Sequence, residues 1–292
     1  MNSHSNFNFS NITNYNDILS ISGLDFTVNK YPVNANNIQS NEYFGLVSDK
    51  QDFFGIAKKN YTVIQNSEFF SFIDLLLQNN FTVKNAYQFK SKSIIKIEDN
   101  NKLKIEKVGD LFSTSIFIKN DFSGKDAGSY QIYNIRLACT NGMKRKEKES
   151  EFTIKHFSNY NDKLMLVSSM IQNLDSYKKN LEMSIQIMND SYISDQKFNE
   201  YINSILKIDE SKEVSTRAQN IKNDIVSLYN NKPDLKQLNK SYYRAFNAVS
   251  DYFSNHMNYK NSQNNELVKE TSLVFGNNID KSFELALSLS QN

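Results

Sequence analysis

From Phe53 to about Ile154 apolar and polar residues alternate with a period of two, as in Phe54-Gly55-Ile56-Ala57, Tyr61-Thr62-Val63-Ile64, Phe81-Thr82-Val83, Ser93-Ile94-Ile95-Lys96-Ile97, Leu103-Lys104-Ile105 and Ser115-Ile116-Phe117-Ile118. Such alternation marks strands that bury one face. Earlier, Ser22-Gly23-Leu24-Asp25-Phe26-Thr27-Val28 alternates after a glycine and is closed by Pro32, which predicts a short edge strand. Asp99-Asn100-Asn101 parts two of the runs with residue types that tolerate positive φ, so Lys90 to Lys107 is expected to form a long β-hairpin. One helix interrupts the strands, capped by Asn66 or Ser67 and burying Phe69, Phe70, Phe72, Ile73, Leu76 and Leu77.

After Phe152-Thr153-Ile154 the period becomes helical and stays so, over 162–188, 194–206, 215–229, 233–256 and 266–289. Pro233 suits the first position of a helix, where its missing N–H is no loss. The expected fold class is α+β: an antiparallel β-sheet with a long hairpin and a packed helix, followed by an all-helical C-terminal half. Residues 1–19 carry few apolar side chains and predict a flexible polar arm or a short ordered lead-in. Residues 20–157 then form a β-rich basic domain and 158–292 a helical domain, with no Gly-, Pro- or Ser-rich tether and no internal repeat between them.

Composition narrows the function classes. Hydrophobic residues make up 39% and aromatics 13%, all Phe and Tyr, which places the chain outside the disordered class. Cys139 is the only cysteine, so an internal disulfide and a zinc site of several thiolates are excluded and a reducing, cytoplasmic setting fits. The first residues hold no apolar leader core, and no run approaches the roughly 20 apolar residues of a membrane span. There is no G-x-S-x-G, P-loop, H-E-x-x-H or G-x-G-x-x-G, and only 8 glycines, so no catalytic residue and no cofactor is assigned. His4, His156 and His256 lack a recurring ligand spacing, alone or with Cys139, and no metal is assigned either.

A net charge of +2 leaves local concentration as the only electrostatic signal. Lys84, Lys90, Lys92, Lys96, Lys102, Lys104 and Lys107 lie close together in sequence, opposed only by Glu98, Asp99 and Glu106. On a hairpin, Lys90, Lys92 and Lys96 share one face of their strand and Lys102 and Lys104 one face of the next. Arg136, Lys144, Arg145, Lys146 and Lys148 form a second set around Thr140-Asn141-Gly142, and Tyr87, Phe89, Tyr130 and Tyr133 are near in sequence. Basic grooves with aromatic platforms hold single-stranded nucleic acid without sequence preference. A merely solvated polar face would look the same in a lysine-rich chain.

Five separated segments resemble one family of phage- and plasmid-encoded proteins, domain of unknown function 932: Ser22 to Val28 with Pro32; Tyr61 to Phe72; Ile135-Arg136-Leu137-Ala138-Cys139-Thr140-Asn141-Gly142-Met143; Lys155-His156; and Ala245-Phe246-Asn247-Ala248-Val249-Ser250-Asp251-Tyr252 with His256. The resemblance implies a mobile-element setting without an agreed activity. The order of strands, helix and hairpin is also similar, as fold analogy, to phage single-strand annealing recombinases. That implies single-stranded DNA binding and annealing in recombination or replication, without catalysis or cofactor, by a homo-oligomeric ring or filament in the bacterial cytoplasm. The expected nucleic-acid contacts are Lys90, Lys92, Lys96, Lys102, Lys104, Arg136, Lys144, Arg145, Lys146, Tyr87 and Tyr133. The alternative is an interaction protein, an anti-defence or host-takeover factor, whose helical half grips a host protein. A metal-dependent nuclease or hydrolase built on His156 or His256 ranks last.

Overall fold

The computed structural model describes residues 7, 9, 12–125, 128–138, 141–143, 151–154, 160–209, 211–257 and 265–291. In chain order these form α1 (Tyr15–Ser22), β1 (Val28–Ala35), β2 (Ile38–Ser48), β3 (Phe53–Lys58), α2 (Asn66–Phe69), α3 (Ile73–Gln78), β4 (Phe81–Phe89), β5 (Lys92–Asp99), β6 (Leu103–Ile105), β7 (Asp110–Asp121), β8 (Gly128–Arg136), β9 (Asn141–Met143) and β10 (Glu151–Ile154). Helices follow: α4 (Tyr160–Asp190), α5 (Asp195–Leu206), α6 (Thr216–Asn231), α7 (Pro233–Lys236), α8 (Tyr242–Asp251) continued by a π-helical turn (Tyr252–His256), α9 (Asn265–Phe275) and α10 (Asn278–Ser290). The fold class is α+β, with antiparallel sheets and then a helical C-terminal half.

The chain divides into two compact units. The first comprises Met1–Asn101, Ser115–Ile132 and Glu151–Asn173. It holds a three-stranded sheet in the order β1-β2-β3 and strands of a larger sheet in the order β10-β8-β7-β5-β4. The second comprises Lys102–Thr114, Tyr133–Ser150 and Leu174–Asn292. In it β6 pairs with the start of β7, β9 with the end of β8, and α8 packs against α5, α6, α7, α10 and β9.

Local sequence explains most element ends. Asn14 caps α1 by accepting the Asp17 N–H at 3.0 Å, and Gly23 ends it in the left-handed region at φ +68°. Ile18 and Leu19 are buried, so the lead-in from Tyr15 is a docked helix rather than an arm. The alternation over Ser22 to Val28 is therefore not a strand. The strand begins at Val28 and passes through Pro32, which an edge position allows because no partner needs its N–H.

The helix expected after Gln65 is broken into α2 and α3, and neither Asn66 nor Ser67 caps it. Asn66 is instead fully buried, donating to Leu24 O and Ser93 Oγ at 2.9 Å each, while Asn120 donates to Asn66 Oδ1 at 3.1 Å. This amide cluster holds the helical turn against β5 and β7, leaving Asn66 no freedom to act as a cap.

The expected Lys90 to Lys107 hairpin does not form. A long hairpin exists one strand earlier, β4 with β5, in the register Phe89↔Lys92 to Phe81↔Asp99, turning at Lys90 with φ +56°. The other edge of β5 is taken by β7, and β6 pairs with β7 through Leu103↔Phe112. The reason is burial: Ile94, Ile95 and Ile97 have no exposed surface, which only a central strand covered on both faces can achieve.

Candidate functional site

In the first unit the register Lys92↔Asp121, Ile94↔Lys119 and Lys96↔Phe117 puts Lys92, Lys96 and Lys119 on one face of β5 and β7. Tyr87, opposite Ile94, and Phe89, opposite Lys92, extend that face onto β4. Lys90 stands exposed at the turn, its ammonium 5.5 Å from the Phe89 ring centroid. The Lys96 ammonium lies 5.1 Å from the Phe117 ring. Three of the expected lysines thus gather on or beside one face, joined by Lys119. Lys119 is absent from the sequence-based expectation, and its parity with Phe117 is the signal that reveals it.

Carboxylates temper this face. Lys92 pairs at 2.9 Å with Asp121, whose side chain is fully buried. Asp121 also accepts the Ser91 hydroxyl at 2.9 Å and the Ser123 N–H at 2.8 Å. Burial alone would raise its carboxyl. The Ser123 N–H, the Lys92 ammonium and the Ser91 hydroxyl outweigh that and hold it below the ordinary value. Tyr87 is buried, so its ring supports the sheet and is not free to stack on a base, a correction to the expected role.

Lys102 and Lys104 belong to the second unit, since β6 pairs with β7 and not with β5. Lys102 donates to Ser113 Oγ at 3.2 Å and Lys104 pairs with Glu106 at 2.8 Å. Lys144, Arg145, Lys146, Lys148, Cys139 and His156 lie outside the described residues.

Arg136 cannot meet a phosphate either. Its side chain is only 4% exposed and is gripped by Asp110 at 2.7 Å and Asp234 at 3.1 Å. The other Asp110 oxygen accepts the Tyr243 hydroxyl at 2.6 Å. A guanidinium buried between two carboxylates is a structural tie, whose removal leaves charge stranded in the interior. Tyr133 is buried as well, with Gly142 against its hydroxyl.

Asn141-Gly142 is more than a turn. As β9 it docks onto α8 and the π-helical turn: Asn141 Nδ2 donates to Asn247 O and Asn255 Nδ2 to Asn141 Oδ1, both at 3.1 Å. Gly142 N–H donates to Ser254 Oγ at 3.1 Å and its carbonyl accepts the Ser250 hydroxyl. Asp251, fully buried, takes Lys232 Nζ and Asn255 Nδ2 at 2.7 Å each, with His256 Nε2 at 3.7 Å. The π-helical turn brings Asn255 and His256 back over Asp251. Sequence reasoning missed Asp110, Asp234 and Asp251, because each meets its cation through tertiary packing that no local spacing signals.

Two segments that carry the resemblance to domain of unknown function 932, one around Asn141 and one around Asn247, are 106 residues apart and in direct contact. A family model described as Domain of unknown function (DUF932) matches residues 54–274. The chain belongs to that family. No curated protein and no solved structure matches this DUF932 chain. Among its described residues no three His, Cys, Asp or Glu side chains gather as a metal site, and no helix is long and apolar enough to cross a membrane.

Proposed function

We propose that this DUF932 chain is a single-stranded DNA binding and annealing protein of a phage or plasmid, acting in recombination or replication without catalysis and assembling with copies of itself in the bacterial cytoplasm. What supports the reading is the gathering of Lys92, Lys96 and Lys119 on one face of paired strands, with Lys90 at the adjoining turn. Ammonium groups on neighbouring strands can track a phosphate backbone, and each phosphate neutralised releases counterions. Binding of a labelled oligonucleotide should therefore weaken with salt, with a log-log slope of roughly 0.7 per phosphate contact. Lys96→Glu with Lys119→Glu should weaken binding while circular dichroism stays native; Lys92 is left intact because it neutralises buried Asp121. Absence of salt-sensitive binding by the unmodified protein would sink the reading.

The alternative, an interaction protein that grips a host protein through its helices, draws on Met183 and Ile187. They lie one turn apart on α4 and are exposed by 60% and 36%. It predicts that Met183→Asp abolishes partner capture while the lysine changes have no effect.

A further inference from the structure

The three-stranded sheet has two unlike faces. Val28, Leu46 and Ala57 are shielded on one. The other carries Tyr31, Tyr43, Phe53 and Ile56, exposed by 52%, 49%, 62% and 46%. Register explains the gathering: Tyr31, Gly45 and Ile56 form one row across the strands, Tyr43 lies in the row on one side, and Phe53 opposite Val47 in the row on the other. A bulge, where Leu46 pairs with Gly55 but Val47 with Phe53, leaves Phe54 as the extra residue and reverses which of the two adjacent rings faces out. Phe54 turns inward to stack on Phe122 at 5.7 Å, and Phe53 faces out. At the centre, Gly45 presents no side chain, and a Cβ there would come within 3.1 Å of the Phe53 ring.

The charge on this face is one-sided. Lys58, opposite Tyr43, is exposed, and none of the other residues that share the face in this register, Asn29 and Val47 included, is acidic. Tyr31 and Tyr43 are diagonal neighbours, about 7 Å apart. The rows of Tyr43 and Phe53 are four strand residues apart, about 13 Å. A small antiparallel sheet with two or three outward rings over such a span accommodates two or three stacked bases. Three of the four exposed residues are rings and only Ile56 is aliphatic, and with Lys58 beside them the face pairs flat π-surfaces with a cation, the combination that stacks bases and meets phosphate.

We infer that this face is a stacking platform for two or three bases of a single strand, with Lys58 meeting the phosphate backbone at its end. The inference rests on the reading of the protein as a single-strand binder, and adds a contact surface distinct from the lysine face of β5 and β7.

The test uses the full chain and a labelled oligothymidine. Tyr31→Leu, Tyr43→Leu and Phe53→Leu together remove the outward rings but keep apolar bulk on the half-exposed face, so the circular dichroism should stay native while affinity falls about tenfold or more. The salt slope should stay unchanged in that variant and drop by roughly 0.7 in Lys58→Ala. Phe53→Trp, in a chain with no native Trp, should keep affinity and show its fluorescence quenched by the strand. If the unmodified protein binds and the triple variant binds equally well, the platform is wrong and the single-strand reading stands. If the unmodified protein does not bind, both fall. If the triple variant loses only self-association, the face belongs to a second copy and the platform is overturned.

Discussion

Gly142 lies so close to the phenol of Tyr133 that a Cβ at residue 142 would stand 1.5 Å from the Tyr133 hydroxyl oxygen. The strand cannot slide away, because Ser254 holds its N–H and Ser250 its carbonyl. Gly142→Ala is therefore expected to destabilise the second unit by about 1 to 3 kcal/mol, as forced overpacking does, and to lower the melting temperature. Adding Tyr133→Phe should restore only part of the loss, since the ring carbon behind the hydroxyl would still be 2.4 Å away. An unchanged melt of Gly142→Ala would contradict this packing.

The same unit depends on Arg136 for charge balance. Arg136→Met leaves Asp110 and Asp234 facing each other without their shared cation, and a loss of about 3 to 5 kcal/mol is expected in urea unfolding. Lys104→Ala removes an exposed pair with Glu106 and should cost at most about 1 kcal/mol. Equal midpoints for the two variants would show that Arg136 is not the tie its geometry implies.

Strand and helix periods were legible in the chain where an element buries one side, as β4 and α5 do, but β5 and β7 are packed on both sides and α8 is buried all round, and these show in the sequence only as strand or helix, not as a face. Partner choice was not legible. Lys92 and Lys96 are half-exposed, yet the adjacent pair Ile94 and Ile95, both fully buried, is the trace of a strand packed on both sides beneath them. Arg136 reads as a surface cation until Asp110 and Asp234 are folded against it. The outward rings of Tyr31, Tyr43 and Phe53 escaped notice because a bulge, which alternation cannot reveal, decides that Phe53 and not Phe54 faces out. The passage of the chain between two units, with Lys102–Thr114 and Tyr133–Ser150 joining the helices, has no marker of composition at all.

Asp121 makes the first unit sensitive to acid. Its carboxyl is held below the ordinary value of 3.8, so the folded state favours the ionised form. That contribution is fully present above the unfolded value and is lost as pH falls from there through the lowered folded value. Lys92→Met takes away the ammonium at 2.9 Å and should move the acid unfolding transition to higher pH. In Asp121→Asn the dependence over this window should flatten. An acid transition that is the same in all three proteins would remove Asp121 from the account.

Tyr201 and Tyr243 carry the opposite dependence at high pH. Burial pushes both phenols well above their ordinary value, and at Tyr243 the Asp110 carboxylate raises it further while the Arg136 guanidinium works against it. Each also donates its proton, Tyr201 to Ser282 O at 2.9 Å and Tyr243 to Asp110 at 2.6 Å. A raised folded value means that the fold favours the neutral phenol, so its contribution is intact at neutral pH and is lost as pH climbs through that raised value. In an absorbance titration, Tyr201→Phe and Tyr243→Phe should leave the reversible phenolate signal unchanged. Each should instead remove one phenol from the step that accompanies alkaline unfolding. Loss of a phenol from the reversible part would mean that water reaches the hydroxyl in the folded protein.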